Sequence, residues 1–356
     1  MPSKSLSSEL TFLLDHAIEH KASDLHIVCD ASPTIRVDGQ LVPVDRPVYT
    51  AAKTNEVIGS LIGEDLNKRI NENRKELDFS FSYEGLRFRC NVFFQKGVLA
   101  ASLRLLPNTV PDFAELGVPA AAGKLIEHNQ GLIIVAGPTG HGKSTTLAAM
   151  VNVIAAQRRG HVITIEDPIE YVFEHKKSII SQREVGSDTP SFGSALRAAL
   201  REDPDVVLVG EMRDQETMEA ALQLAETGHL VLTTLHTNSA AQTADRIIDV
   251  FPPHQQSQVR VQLSEVLLGV ISQRLLPKTK GGRILATEVM IANSAVRSIL
   301  REGKTHQLPN LIQTSAAEGM IGLDKSLAEL VTAGEISVDD ALAWSLDPKA
   351  LKMMIY

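Results

Sequence analysis

The apolar run Leu132-Ile-Ile-Val-Ala136 leads without a break into GPTGHGKST, residues 137–145. A run of that kind reads as a strand buried on both faces. The nonapeptide fills the P-loop pattern G-x-x-x-x-G-K-[ST], with Gly137, Gly142, Lys143 and Ser144 in its four fixed places. Glycines allow a turn tight enough for several backbone N–H groups to converge on phosphate oxygens, and the helix that follows aims its positive end at the same point. That helix is Ser144-Thr-Thr-Leu-Ala-Ala-Met-Val-Asn-Val-Ile-Ala-Ala156, which contains neither glycine nor proline. The expectation is a nucleotide cradle formed by Gly137, Pro138, Thr139, Gly140, His141, Gly142, Lys143, Ser144 and Thr145. Lys143 supplies a point charge, and the Ser144 hydroxyl is a ligand for Mg²⁺. His141 stands where serine is more usual, but the backbone amide does the binding there. ATP and Mg²⁺ are the expected cofactors.

Strands and helices alternate after the P-loop. His161–Ile165, Val206–Val209 and Leu230–Leu235 are further apolar strands, separated by helical stretches. Such alternation implies a parallel sheet covered on both faces, with the site at the strand C-terminal ends. From about residue 256 the chain reads as helices, with one hairpin near Lys280-Gly-Gly-Arg283. Before the P-loop the pattern has period two. Asp38-Gly39 marks one hairpin, and Glu84-Gly85 marks another, between Phe79/Phe81/Tyr83 and Leu86/Phe88/Cys90/Val92. Arg87 and Arg89 share the strand face opposite that apolar set. Three prolines between Leu106 and Pro119 suggest a linker. The expected domains are therefore 1–106, a linker at 107–119, an α/β core at 120–290 and a helical region at 291–356.

At 356 residues and 44% hydrophobic content, the chain is long and apolar enough for two domains with real cores. The net charge of −8 weighs against a sequence-independent grip on nucleic acid, so no nucleic-acid partner is expected. Two cysteines, Cys29 and Cys90, provide neither a disulfide framework nor a four-thiolate zinc clip, and no apolar run reaches spanning length. A cytoplasmic protein is the expectation.

Other strand ends finish in groups fit for catalysis. Val162-Ile-Thr-Ile-Glu-Asp brings Glu166 to the sheet edge, and Val206-Val-Leu-Val-Gly-Glu brings Glu211, with glycine where an aspartate usually supports magnesium. Glu211 is the first choice for polarising the attacking water and Glu166 the second; both would reach the metal through water. His229 and His236 bracket the strand Leu230–Leu235, and either could sense the γ-phosphate. Arg197 and Arg201, four apart before the Glu211 strand, would share a helix face.

The blocks Ala22-Ser-Asp-Leu-His26, GPTGHGKSTT, ITIEDPIEY, ALREDPDVVLVGEMRD and TGHLVLTTLHTNSA, in that order, resemble the secretion ATPases of the type II/type IV pilus group. The segment Val296-Arg-Ser-Ile-Leu-Arg-Glu-Gly-Lys-Thr-His-Gln307 resembles its pilus-retraction branch, and the resemblance covers residues 8–335. It implies a PAS-like α+β N-terminal domain, a RecA-like P-loop ATPase domain and a helical C-terminal region. It also implies Lys143, Ser144, Glu166, Glu211 and His236 as the nucleotide site, in the motifs called Walker A, Asp box, Walker B and His box. A homo-hexamer follows from it, in which one subunit's N-terminal domain docks on another's ATPase domain, with Arg87, Arg104 and Arg89 as candidates to stabilise the transferring phosphoryl group in trans.

The implied activity is a motor for type IV pilus retraction, and so for twitching motility. It would act on an inner-membrane platform protein from the cytoplasmic face of the inner membrane, with a paralogous retraction ATPase as a further partner. Extension and secretion members insert a four-cysteine zinc module after the segment matching Gln273-Arg-Leu-Leu-Pro277, and they carry a long N-terminal extension. Here the chain continues Lys-Thr-Lys-Gly-Gly-Arg-Ile-Leu-Ala286. The alternatives are an accessory retraction paralogue, a pilus assembly or secretion ATPase, a hexameric nucleic-acid translocase, or a slow nucleotide-gated binding module. The tail from Asp339, with Trp344, matches no pattern and could dock on its own ring or on a partner.

Overall fold

A computed structural model describes residues 6–37, 39–72, 76–106 and 109–355. The chain divides into two compact units, Met1–Thr109 with Pro168–Val172, and Val110–Asp167 with Phe173–Tyr356.

The first unit holds six strands, β1 (Asp24–Ile27), β2 (Thr34–Val37), β3 (Gln40–Pro43), β4 (Glu76–Tyr83), β5 (Leu86–Gln95) and β6 (Val98–Leu106). They form one antiparallel sheet in the order β3-β2-β1-β6-β5-β4. The alternation read in the sequence sets which face is covered. Phe88, Cys90, Val92 and Leu103 are buried with Leu10, Leu13 and Leu14 of the helix Ser8–Glu19 and Val57, Ile58 and Leu61 of the helix Ala51–Glu72. Both hairpins form. Tyr83 pairs with Leu86 across Glu84 (φ 49°) and Gly85 (φ 75°), the doubly positive geometry of a two-residue turn that matches strand twist. Val37 pairs with Gln40 in the other hairpin, whose Asp38 lies outside the described residues, as do residues 107 and 108 of the expected linker.

In the second unit β7 (Gly131–Ala136), β8 (His161–Glu166), β9 (Ile179–Glu184), β10 (Val206–Val209), β11 (Leu230–Leu235), β12 (Leu267–Pro277) and β13 (Arg283–Ile291) form a seven-stranded sheet in the order β13-β12-β7-β11-β10-β8-β9. All pairings are parallel except β12 with β13. Strands β7, β10 and β11 are buried along their whole length, which accounts for their unbroken apolar sequence. The chain is thus α/β, with an N-terminal α+β unit and a RecA-like sheet.

Three local expectations are corrected. Residues 267–277 are a strand rather than helix: an apolar run with little polar punctuation fits either, and pairing with β7 decides it. The hairpin expected near Lys280–Arg283 does form: its turn is short, with Lys278 N–H donating to Gly282 O at 3.0 Å, and no inserted module separates β12 from β13. The segment before Pro119 is not structureless. Asp112 and Glu115 form a capping box on the helical turn Phe113–Leu116, and Phe113, Leu116 and Val118 pack with Leu147, Met150 and Val151. Finally, Arg197 and Arg201 do not share one helix, because Phe192–Ala199 ends before Arg201; Arg197 pairs with Glu216, and Arg183 pairs with Glu202 at 2.9 Å.

Among the described residues five α-helices follow β13: Ser294–Glu302, Leu308–Thr314, Leu323–Thr332, Val338–Trp344 and Pro348–Ile355. Arg297 lies on the first of them. Its guanidinium donates to the carbonyls of Ser264, Glu265 and Leu267, capping the C-terminal end of the helix Pro253–Val266. Among the described residues no helix is long and apolar enough to cross a membrane.

Candidate functional site

Strands β7, β10 and β11 run parallel, so their C-terminal ends collect at one edge of the sheet, and the P-loop leaves β7 there. Gly137 (φ 145°) admits no side chain, because a Cβ would stand 2.5 Å from the carbonyl oxygen of Gln273 on β12. Gly140 and Gly142 both sit near φ 80° and complete the turn into the helix Lys143–Gln157, whose N-terminus has no side-chain cap. An uncapped first turn leaves its N–H groups for an anion, which is the fit a triphosphate needs. Lys143 is buried; its ammonium donates to Gly137 O at 2.8 Å and Pro138 O at 2.9 Å, folded against the loop it would serve.

His236, just beyond β11, joins this loop to the next strand end. Its Nδ1 lies 3.5 Å from Lys143 Nζ and 3.3 Å from the Thr139 hydroxyl, and its Nε2 lies 3.6 Å from Glu211 Oε2. Burial lowers the His236 pKa and the Lys143 charge lowers it further, with Glu211 opposing. A neutral ring whose Nδ1 faces an ammonium carries its proton on Nε2, directed at Glu211. The other Glu211 oxygen pairs with Arg213 at 2.6 Å. Lys143, His236, Glu211 and Arg213 therefore form one row of alternating character at the sheet edge.

Glu166 ends β8 at the same edge. It is buried, and its Oε1 accepts from the Thr164 hydroxyl at 2.6 Å and the Gln182 amide at 3.3 Å. Glu166 ends β8 and Glu211 lies two residues past the end of the neighbouring β10, and Gly210 N–H donates to Ile165 O at 2.8 Å between them. With the Ser144 hydroxyl in the first turn of the P-loop helix, these carboxylates are the residues that would hold Mg²⁺ through water; oxygen donors of this kind suit that ion.

His229 is corrected. It precedes β11, and its carbonyl accepts from Gly131 at the start of β7, so it stands at the opposite edge of the sheet, one six-residue strand or roughly 20 Å from the P-loop. Its Nδ1 bonds to Leu224 O at 2.9 Å. The sequence places a histidine at each end of the strand; parallel pairing decides which end meets the phosphate.

In the first unit Arg89 is exposed and stands opposite Arg104 across β5 and β6. Arg104 Nε pairs with Asp24 Oδ1 at 2.9 Å. Burial works to raise the Asp24 pKa, but bonds from the Ser23 hydroxyl and Arg104, with the Arg104 charge, bring it below the usual carboxylate range. Arg87 is half-buried rather than fully outward.

Sequence reasoning missed Gln273, Arg274 and Asn238. Gln273 is fully buried; its Nε2 donates to His141 O at 2.7 Å, and its Oε1 accepts from the Thr146 hydroxyl at 3.0 Å. Arg274 donates to Gln273 O at 2.9 Å and Asn238 O at 2.8 Å. The signal was present: a glutamine and an arginine inside an otherwise apolar run are buried polar groups that must find partners.

The sequence profile of the family described as "Type II/IV secretion system protein" matches residues 3–336. The type IV pilus retraction ATPase PilT of Pseudomonas aeruginosa is 46% identical over 334 residues, covering 94% of this chain and 97% of that protein. A twitching motility protein of Neisseria gonorrhoeae is also 46% identical, over 336 residues, covering 94% and 89%. The crystal structure of the pilus retraction motor PilT with bound ADP superposes with a TM-score of 0.91 at 50% identity, over 97% of this chain and 98% of that one. The chain belongs to the type II/IV secretion system protein family.

Proposed function

We propose that this chain is an ATP-hydrolysing motor that drives type IV pilus retraction, and with it twitching motility. The observation that carries the reading is the unbroken row from the P-loop through Lys143 and His236 to Glu211 at one sheet edge. It is the apparatus for holding a triphosphate and ordering a water beside it. Two relatives that match nearly the whole chain bear names of this activity, and a third, similar at 50% identity, was crystallised with ADP.

In this reading the amides of residues 137–145 and the Lys143 ammonium bind the phosphates. Magnesium, held by Ser144 and through water by Glu211 and Glu166, would neutralise charge on the phosphate oxygens. Glu211 orients the attacking water and accepts its proton. Glu211 takes precedence over Glu166, whose Oε1 already accepts from Thr164 and Gln182. His236, neutral, keeps the Glu211 carboxylate aimed by donating from Nε2 and reports the state of the Lys143 ammonium through Nδ1.

We further propose a homo-hexamer in which the domain 1–106 is linked through 107–119 to the ATPase core 120–290, followed by the helical region 291–356. Arg87 and Arg104, with Arg89, reach a neighbouring subunit's phosphates as the ring closes, so that hydrolysis drives movement between domains. The motor acts at the cytoplasmic face of the inner membrane on a platform protein that returns pilin to the bilayer.

The test pairs ATPase assays of purified protein with imaging of pili in cells. Lys143→Ala and Glu211→Gln should each abolish turnover and leave long pili that never shorten. Normal shortening with Glu211→Gln would overturn the motor assignment.

A further inference from the structure

The C-terminal segment reaches the P-loop. Trp344, at the end of the helix Val338–Trp344, sets its ring 4.8 Å from that of His141 in an edge-on contact, with an interplanar angle of 68°. The Arg274 guanidinium carbon lies 5.6 Å from the same indole centroid. His141 is tied down at two points: its Nδ1 accepts from Leu275 N–H at 2.9 Å, and its carbonyl accepts from Gln273 at 2.7 Å. Arg274 grips Asn238, two residues after His236, through both the carbonyl at 2.8 Å and the side-chain oxygen at 3.2 Å. One indole thus touches the two side chains that join β12 to the P-loop and to the segment bearing His236.

The chain directly after Trp344 is held in place from behind, while Trp344 keeps 36% of its surface exposed. Asp324, buried on the helix Leu323–Thr332, accepts from the Ser345 hydroxyl at 2.7 Å and from the backbone of Leu346 and Asp347 at 3.0 Å each. Three bonds to one carboxylate hold the turn that directly follows Trp344. A side chain anchored through the turn that follows it, and in contact with both a cation and a P-loop side chain, is placed to transmit position.

We propose that Trp344 is a positioning residue of the nucleotide site: through His141 and Arg274 it sets the P-loop and the His236 segment, and in return it registers when a nucleotide occupies the loop. The inference rests on the P-loop being the nucleotide site. It gives the tail beyond Ser337 a role in nucleotide affinity. Binding pulls the P-loop and Lys143 toward phosphate, and any shift of His141 changes what lies against the indole edge. By linkage, whatever moves the C-terminal helices changes nucleotide affinity by the same factor.

The chain contains a single tryptophan, so indole emission of the full-length protein reports this one contact. Mg-ADP is titrated while emission and heat are recorded in parallel. The expected result is a saturable change in emission with the same midpoint as the calorimetric isotherm. Heat without any change in emission would overturn the inference while leaving the nucleotide site standing; no heat at all would remove the site itself. For the kinetics, Trp344→Ala should raise the KM for ATP by about tenfold with kcat within about threefold, a split that loss of folded protein cannot produce. Asp324→Asn should move KM in the same direction by freeing the turn, and Trp344→Phe, which keeps an aromatic edge, should recover most of the loss. Wild-type KM in Trp344→Ala would also overturn the assignment.

Discussion

Strand β11 carries a histidine at each end, and the two have opposite fates. His236 meets Lys143, Thr139 and Glu211; His229 folds back on Leu224 of its own helix-to-strand turn. The contrast extends along both edges of the sheet. At the P-loop edge polar groups bond to one another and to the loop, leaving charge available for an incoming ligand. At the far edge they close the fold, mostly on the backbone: Asp205 accepts from His161 N–H at 2.8 Å, and the His161 ring bonds to Glu202 O at 3.0 Å and to the Ser181 hydroxyl at 2.9 Å. A polar residue at a strand end is therefore informative only once strand direction is known, because the same chemistry closes the fold at one edge and serves a substrate at the other.

The largest expected effects lie at the P-loop edge. If Glu211 orients the attacking water as proposed, Glu211→Gln should lower kcat by about 10²–10⁴ with little change in nucleotide affinity, whereas Lys143→Ala should abolish binding as well as turnover. Turnover assays and calorimetry separate the two. Equal losses of affinity in both variants would erase the distinction between a binding lysine and a water-ordering carboxylate. Next comes the histidine pair. His236→Ala should reduce kcat by about tenfold or more, while His229→Ala should leave kcat within about twofold and cost only about 1 kcal/mol of stability through its lost bond to Leu224. Comparable kcat losses in the two variants would break the contrast between the edges.

Much of this arrangement is legible in the amino-acid sequence itself. The four apolar strands, the P-loop and the carboxylates Glu166 and Glu211 can be read there because each signal is local: buried parallel strands lack alternation, and the P-loop spacing is fixed by the phosphate it encloses. Two things are not local. Strands β9, β12 and β13 have composition that fits helix as well as strand, and only pairing partners far away in sequence resolve them. The binding partners of the P-loop, Gln273 and Leu275, lie more than a hundred residues beyond it. Their roles exist only because β12 packs beside β7, which no window of sequence reveals. The tail is illegible for the same reason, since Trp344 has meaning only beside His141 and Arg274.

Acid should weaken the P-loop edge, as it should the surroundings of His16 and His26, whose pKa values burial also lowers. Burial lowers the pKa of both His141 and His236, with nearby cations adding to it: Arg274, Lys143 and Arg283 for His141, and Lys143 with Arg213 for His236, where Glu211 alone pulls upward. Above pH ~6.5 both rings are neutral whether the chain is folded or not, and they contribute no pH dependence. As the pH falls through that value the unfolded chain takes up protons first, so stability is lost progressively down to the folded-state pKa. The two rings should pull the melting temperature down between pH 7 and pH 5, against buried Glu288, whose pKa is pushed up to about 7 and which adds stability as it protonates; His141→Asn or His236→Gln should each shift the slope toward greater stability in acid. Protonation would also disrupt the Leu275 N–H bond to His141 Nδ1, so nucleotide affinity should decline over the same range. A slope unchanged in both variants would assign the acid sensitivity to other groups.

The smallest effect is the most discriminating, because it repeats the largest one on the other edge. Asp205→Asn is the same chemical change as Glu211→Gln, a carboxylate oxygen replaced by an amide nitrogen. Asp205 is exposed and uses Oδ2 to accept from the His161 backbone, with the same oxygen only 2.5 Å from where a Cβ on Gly160 would stand. An amide oxygen can take over that bond with a modest rotation, and the charge lost is solvated, so the cost should stay below about 1 kcal/mol in denaturant unfolding. Turnover should match wild type. Asp205→Ala, which leaves the His161 N–H without its partner, should cost more, about 1–2 kcal/mol, again without touching kcat. If Asp205→Asn instead slowed hydrolysis as Glu211→Gln does, the far edge would have to communicate with the phosphate through the length of the sheet, and strand direction would no longer separate structural from catalytic polar groups in this fold.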